Sequence, residues 1–389
     1  MQKKIIYLWI MIMMWGGVSQ ALYASDTQIG ASEVIQGQLN MLDWNELEAV
    51  QSRLQEQVPG MKGFNLKQEV SQIVSGEKQF SLQEILGIIK DMFFREIGTY
   101  VNVIARFILI VILCNLLSRL SSSFQSKEVT KVAFFVCYML IIYSVAQSLV
   151  TVVDLAQSTV NNLCEMMLVA LPTLLAFMAV SGYIASSAAL APVIIAALNI
   201  IAFIIQKIML PSVVGIIILQ IVSSMSEEFK IDKLIGLFYK TAKWVLRGTL
   251  IISIGIMGAY NVVLPALDVT MKRVGMTLGT KFIPVIGDAV GGAVEFIIRC
   301  SGLIKNAFAL GIVIWIILIV ALPLIKIITY IFLYNIAAAA IEPLGDSKMS
   351  KIASNLAKGC EFIMSCVGMV AILSIVVMVI CMSVGANGI

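Results

Sequence analysis

The sequence predicts an all-α, polytopic integral membrane helical bundle of about 8–10 spans, preceded by a small exported helical segment. Three observations carry this expectation. Hydrophobic residues make up 60% of the chain and charged residues 13%, whereas soluble domains run at roughly 45–50% and about 25%. A soluble fold has too little interior to hide that much apolar surface. From residue 99 onward, apolar runs near the ~20 residues needed to cross ~30 Å of hydrocarbon follow one another with short interruptions. Those runs are continuous, not alternating, which argues for helices over barrel strands. The composition excludes an ordinary cytosolic enzyme and a disordered chain.

Residues 1–24 read as an export signal. Lys3 and Lys4 precede the uncharged apolar core Ile5 to Trp15, Gly16 and Gly17 break the helix, and small residues follow at Ser19, Ala21 and Ala24. The core is too short to span as a helix. An uncleaved first anchor is the alternative, and either way the residues that follow are exported.

Residues 25–98 form an acidic extracytoplasmic segment, with six Lys/Arg against eleven Asp/Glu, a net of −5. Two amphipathic helices are readable there. Asp43 and Glu46 form a capping box ahead of Trp44, Leu47, Val50 and Leu54, and Pro59-Gly60 ends that helix. Ser81 and Glu84 repeat the capping pattern ahead of Leu82, Ile85, Leu86, Ile89, Phe93 and Ile97. The segment is either a docking element for an extracytoplasmic partner or a solvated spacer.

Residues 99–389 form the membrane domain. Spans are expected at 100–119, 132–153, 164–182, 184–206, 209–225, 248–267, 279–300, 306–325, 327–345 and 361–384. The 184–225 stretch is alternatively one bent unit broken near Pro211. Basic residues orient the spans. With the N-terminus outside, Arg119, Lys127 and Lys131 lie in the cytoplasm, the loop around Asp154 lies outside, and the Lys230–Arg247 and Lys348–Lys358 stretches lie in the cytoplasm. Lys272, Arg273 and Lys281 fall outside, against the rule. Pro172 and Pro211 are 39 residues apart, as are Pro284 and Pro323. Each pair is followed by a basic stretch, Lys233–Lys240 or Lys351–Lys358. Residues 164–267 and 279–384 are therefore either two copies of a four-span unit or a chance alignment of low-complexity apolar sequence.

A charge at mid-membrane costs at least ~2.5–3.5 kcal/mol on insertion scales, so polar groups within spans call for a role. Asp288 and Glu295 are seven apart, on one helix face, and Arg299 is four beyond Glu295. Gly287, Gly291 and Gly292 lie beside them, where a neighbouring helix can approach closely. Asn199 and Asn261 add to this candidate polar face from other spans, or, like Gln206 near the end of one, form interhelical hydrogen bonds. The alternative is an interfacial or re-entrant helix whose charges meet headgroups and water. The stretch 229–247 combines Lys230, Lys233, Lys240, Lys243 and Arg247 with Trp244 and other aromatics. It reads as a helix lying along the cytoplasmic leaflet on acidic lipids, or as a docking site for a cytoplasmic partner.

The formal net charge of +4 does not point to nucleic acid, because the basic residues are spread between spans. There is no histidine, which removes imidazole metal sites and Ser-His-Asp triads. Cys114, Cys137, Cys164, Cys300, Cys360, Cys366 and Cys381 form no CxxC and read as apolar fillers. No P-loop, HExxH or GxSxG is present, so no catalytic, cofactor or metal residues are expected. An energised process needs nucleotide hydrolysis by another subunit.

The C-terminal half carries KFIPVIGDAVGGA at 281–293, GLIKNA at 302–307, ALPLIK at 321–326 and AAAIEPLGD at 338–346. With the leader, the acidic segment ending in SLQEILGIIK and the many spans, this resembles the stage III sporulation protein AE family of endospore-forming bacteria. Pro284, Gly287, Asp288, Gly291, Gly292, Lys305, Asn306, Pro323, Glu342, Pro343 and Asp346 match the family pattern. The resemblance implies a place in the eight-protein complex of the stage III A operon, in the mother-cell membrane around the forespore. There it implies a channel or secretion-like apparatus supporting late forespore development. It also implies that a separate ATPase subunit supplies energy and that this chain has no catalytic residues. The expected function is therefore a non-enzymatic membrane subunit of that channel, with the other subunits and membrane lipids as partners. A self-sufficient small-solute permease built from two four-span repeats is the alternative; an intramembrane enzyme has no paired nucleophile and base to support it.

Overall fold

The computed structural model describes residues 44–57, 65–75, 127–225, 232–282, 287–344 and 347–384, with isolated positions between 37 and 116. The leader at 1–24, Lys230 and Pro284 lie outside the described residues. So do the side chain of Asp288 and the surroundings of Gly287, Gly291 and Gly292. The helix expected from Ser81 is described only at isolated positions, and the span at 100–119 only at 105, 108–113 and 116, all helical.

Every element among the described residues is helical. Two short amphipathic helices, α1 (Asn45–Gln57) and α2 (Leu66–Ser75), come first. Then follow α3 (Lys127–Val180), α4 (Ile184–Phe203), a π-helical segment (Ile204–Met209) and α5 (Leu210–Met225). The chain closes with α6 (Asp232–Phe282), α7 (Gly287–Ile341), a 3₁₀ turn (Glu342–Leu344) and α8 (Ser347–Ser383). Among the described residues, five stretches are long and apolar enough to cross a membrane: Met139–Val180, Ile184–Ser223, Lys233–Val263, Glu295–Ile341 and Met349–Ser383. The chain is an all-α, polytopic membrane bundle.

Among the described residues the spans are fewer and longer than the apolar runs there suggest. The runs at 132–153 and 164–182 belong to one helix of 54 residues, about 80 Å at 1.5 Å per residue. The connecting stretch holds no Gly or Pro. Val152, Ala156, Val160, Leu163 and Met167 are buried at three- and four-residue spacing, so packing carries the helix through. Asp154 consequently sits exposed on a helix and not in an exported loop. The run expected at 279–300 is divided: residues 279–282 end α6, while 287–300 together with 306–325 and 327–341 form one 55-residue helix. The basic stretch from 232 to 247 is continuous with the 248–267 span in α6. It is not a separate helix. Lys233, Lys240, Lys243, Trp244 and Arg247 are all exposed there.

The 184–225 stretch is the one unit considered above, with its irregularity just ahead of Pro211. Proline lacks an N–H and its ring collides with the carbonyl four residues back. Widening the preceding turn to π geometry over Ile204–Met209 accommodates both. The α3–α4 boundary is a Schellman turn. Tyr183 N–H donates to Met178 O and Gly182 N–H to Ala179 O, both at 3.0 Å. Gly182 adopts φ 89°, a left-handed conformation that glycine takes without steric cost.

The antiparallel pair α7–α8 is central. Ser350 Oγ donates to Ala338 O (3.0 Å) at one end, and Lys305 Nζ donates to Met382 O (3.3 Å) at the other. α3 packs on both members of the pair, α4 bridges α3 and α6, and α5 lies against α8. α6 runs parallel to α8, as the contacts Tyr239–Phe362 and Asn261–Ser383 show. The Lys233–Lys240 and Lys351–Lys358 stretches thus stand at the same end of the bundle. The segments before them differ: a turn at Gly182 divides α3 from α4, while α7 is uninterrupted. Several hydroxyls in or next to the apolar helices are satisfied locally, Thr159, Ser181, Ser301 and Thr329 each donating to the carbonyl four residues back, whereas Ser186 Oγ and Ser374 Oγ are buried without a partner among the described residues.

Candidate functional site

Three helices carry uncharged stretches that lie side by side. They are 184–206 in α4 and the π segment, 248–267 in α6 and 362–384 in α8. Each measures about 30–35 Å, the thickness of a bilayer's hydrocarbon. Lys207 and Arg247 bound the first two at one end, and the third extends about 12 Å further, to Glu361. Beside it Tyr239, eight residues before Arg247, meets Phe362 edge-on at 6.1 Å, and Gly359 faces Ile217. At the other end three polar ties join the helices. Asp268 of α6 accepts from Ala185 N–H (2.8 Å) and Ser186 N–H (2.9 Å). Asn261 Nδ2 donates to Ser383 Oγ (2.8 Å). Lys305 Nζ donates to the carbonyls of Met382 and Val384.

The helix pair α1–α2 docks on α3 and α7 alongside this uncharged band. Trp44 contacts Phe308, and Phe308 contacts Phe177, with ring centroids 6.1 and 6.3 Å apart. Leu66 and Val70 close over Gly311, where an added Cβ would stand 3.0 and 3.1 Å from them. Leu47, Leu54, Leu66 and Val70 are almost wholly buried in the same core as the long helices. Burial of this kind stabilises by about 1.5–3 kcal/mol per side chain. Buried Gln51 ties the two short helices together, its Oε1 accepting Leu66 N–H at 3.0 Å. Asn65 caps α2 through Gln68 N–H (3.1 Å).

The outward face of α1 is polar. Asn45, Glu46, Glu48, Ser52, Arg53 and Glu56 are exposed. Arg53 forms an ion pair with Glu165 of α3. The hydrogen bond to that carboxylate, reinforced by its charge, raises the guanidinium above its ordinary pKa.

The residues expected to form one polar face are dispersed. Glu295 and Arg299 do pair, at 2.9 Å, on the exposed side of α7. Asn261 is half-buried and joined to α8 instead. Asn199 is exposed on α4 and turns its amide back to Ile195 O (2.9 Å). Of the residues that tie helices together, Asn261 and Gln206 are ones the sequence already offers as interhelical hydrogen bonds, whereas Asp268 and Glu165 are not. Asp268 and Glu165 are lone carboxylates beside apolar runs, and their cost of insertion was the available signal. Gln206 donates to Asn161 Oδ1 at 2.7 Å, linking the π segment to α3. Helix α2 was also missed, although Asn65 three residues before Gln68 is a capping pattern.

Among the described residues no three His, Cys, Asp or Glu side chains converge as a metal site would require. Cys164, Cys300, Cys360, Cys366 and Cys381 are free thiols, all but Cys164 buried.

The family model described as "Stage III sporulation protein AE" matches residues 64–385, which covers α2 to the end of α8. The chain belongs to the stage III sporulation protein AE family. It is 29% identical over 314 residues to the "Stage III sporulation protein AE" of Bacillus subtilis (strain 168), covering 81% of this chain and 79% of that protein. No solved structure matches. Within the family-matched region, Lys305 and Asn306 of the GLIKNA stretch fall at the polar tie between α7 and α8. Asn306 Oδ1 is buried there without a hydrogen-bond partner among the described residues. Pro323 lies inside α7, and Glu342 and Pro343 form the 3₁₀ turn that ends it.

Proposed function

We propose that this chain is a non-enzymatic, multi-pass membrane subunit of a sporulation channel or secretion-like complex that links mother cell and forespore. The family match carries the reading. The build of the molecule supports it. Five apolar helices suit a bilayer. The charged α1 surface and the apolar surfaces left exposed on α3, α4 and α6, among them Phe135, Phe203 and Ile252, suit a component that meets both water and other subunits. In this reading the α1–α2 side is extracytoplasmic and the Lys233–Arg247 and Lys351–Lys358 stretches are cytoplasmic. A separate ATPase supplies energy. The mother-cell membrane around the forespore is the site of action.

The test is purification of the tagged chain from sporulating cells, with microscopy of a fluorescent fusion and deletion of the gene. The expected result is recovery of other small membrane proteins and an ATPase, signal at the membrane around the forespore, and arrest of late forespore development on deletion. Normal sporulation of the deletion strain, or solute transport by the chain reconstituted alone, would overturn the proposal. The second outcome would identify a permease.

A further inference from the structure

We infer that the outward face of α1 lines a water-filled path at the depth of the bilayer's hydrocarbon. The inference rests on the membrane-subunit reading above and deepens it by naming the wetted surface.

Depth follows from the ties between helices. Ser383, Asn261 and Lys305 mark one edge of the uncharged band. Phe308, which Trp44 touches, lies three residues further along α7, and Gly311, beneath Leu66 and Val70, lies six. These are about 4.5 and 9 Å into the band at 1.5 Å per residue. Glu165, the partner of Arg53, lies twelve residues along α3 from Phe177, itself level with Phe308. That is about 18 Å deeper. Arg53 follows Trp44 by nine residues, at most about 13.5 Å, so helix α1 runs down the bundle into the band and the Arg53 side chain reaches the rest of the way to Glu165.

The two sides of the bundle differ at this depth. On α4 and α6 the large apolar residues Ile195, Ile200, Phe203, Ile251, Ile252 and Ile256 are exposed, and exposed Asn199 turns its amide back to its own helix, a surface suited to lipid. On the α1 side they are Glu46, Glu48, Ser52, Arg53 and Glu56, with Glu165 beside them. Charged groups facing hydrocarbon each cost several kcal/mol, whereas at membrane depth they are tolerated where they line water. A bundle with one apolar and one charged side at a single depth places lipid on the first and an aqueous lumen on the second. Arg53 and Glu165 hold α1 to that wall, and further subunits complete the enclosure.

The test uses the whole complex in vesicles. Ser52→Cys on α1 and Ile252→Cys on α6 share a depth and are each labelled with bimane. Iodide reports water, and a lipid carrying a mid-chain nitroxide reports hydrocarbon. Ser52→Cys should be quenched by iodide and Ile252→Cys by the lipid nitroxide, each preference being about tenfold or more. Lipid quenching at Ser52→Cys would overturn the inference, because α1 would face hydrocarbon. Iodide quenching at Ile252→Cys would also overturn it, because the band would lie outside the bilayer. Glu48→Cys provides a second position on the same face. The expected quenching in vesicles whose complex conducts no ions or solute would sink the channel reading alone and leave the wetted surface standing.

Discussion

Asp268 on α6 reaches across to α4 and accepts the backbone N–H groups of Ala185 and Ser186, at 2.8 and 2.9 Å. Tyr183, the residue ahead of α4, makes no side-chain cap. The carboxylate of Asp268, 3% exposed, therefore satisfies donors that the helix itself leaves unpaired, and negative charge at a helix N-terminus is favoured. Asp268→Ala should destabilise the bundle by about 1–3 kcal/mol for each donor left unpaired. Asp268→Asn, which keeps one acceptor, should cost less. Thermal unfolding in detergent should rank the native chain above Asn and Asn above Ala. Equal midpoints would show that water replaces the carboxylate.

Lys305 is 3% exposed and donates to two carbonyls at the end of α8. Helix C-termini leave carbonyls unpaired, and a cation there is favourable. Lys305→Met keeps the side-chain length and removes both bonds. Amide exchange over residues 380–384 should rise about tenfold, corresponding to roughly 1.4 kcal/mol of local stability. Unchanged exchange would mean that the last turn of α8 is held by packing alone.

Gly359 brings α8 against α5. A Cβ there would overlap the end of the Ile217 side chain, with Cγ1 at 3.0 Å. Overpacking of this kind costs about 1–3 kcal/mol. Gly359→Ala should be mild, because Ile217 can change rotamer, and Gly359→Leu should approach the upper value. Ile217→Ala should restore part of the loss in the double mutant, a coupling that a double-mutant cycle measures. Additive effects would place the overlap elsewhere.

Asp288 and Glu295 are expected to act in the assembled complex, since Glu295 and Arg299 are exposed. Asp288→Leu combined with Glu295→Leu should reduce sporulation without lowering the amount of protein in the membrane, as judged by spore counts and immunoblots. Normal spore counts would remove this pair from the functional surface. An exposed i,i+4 pair adds little to stability, so a fall in protein level is not expected.

The sequence was sufficient for the solvent of this molecule and for the type of its elements, because composition and run length report how much apolar surface each segment must hide. It was also sufficient for which stretches share an end of the bundle. The stretches 233–240 and 351–358 stand at the same end, as the Tyr239–Phe362 contact shows. The number of spans was less legible. Hydropathy registers every polar interval as a break, yet the interval at 154–163 continues as helix because its apolar residues recur at helical spacing and find α7 and α8.

Only tertiary structure decided which polar groups matter. Asn199 and Asn261 look alike in sequence, but one turns back on its own helix and the other reaches Ser383, 122 residues away. Only tertiary structure placed the acidic segment, too. Its amphipathic pattern shows that it has an apolar face, while the partner of that face, Phe308 and Gly311, lies some 250 residues further on. Such contacts depend on long-range shape complementarity, which periodicity within a single segment does not encode.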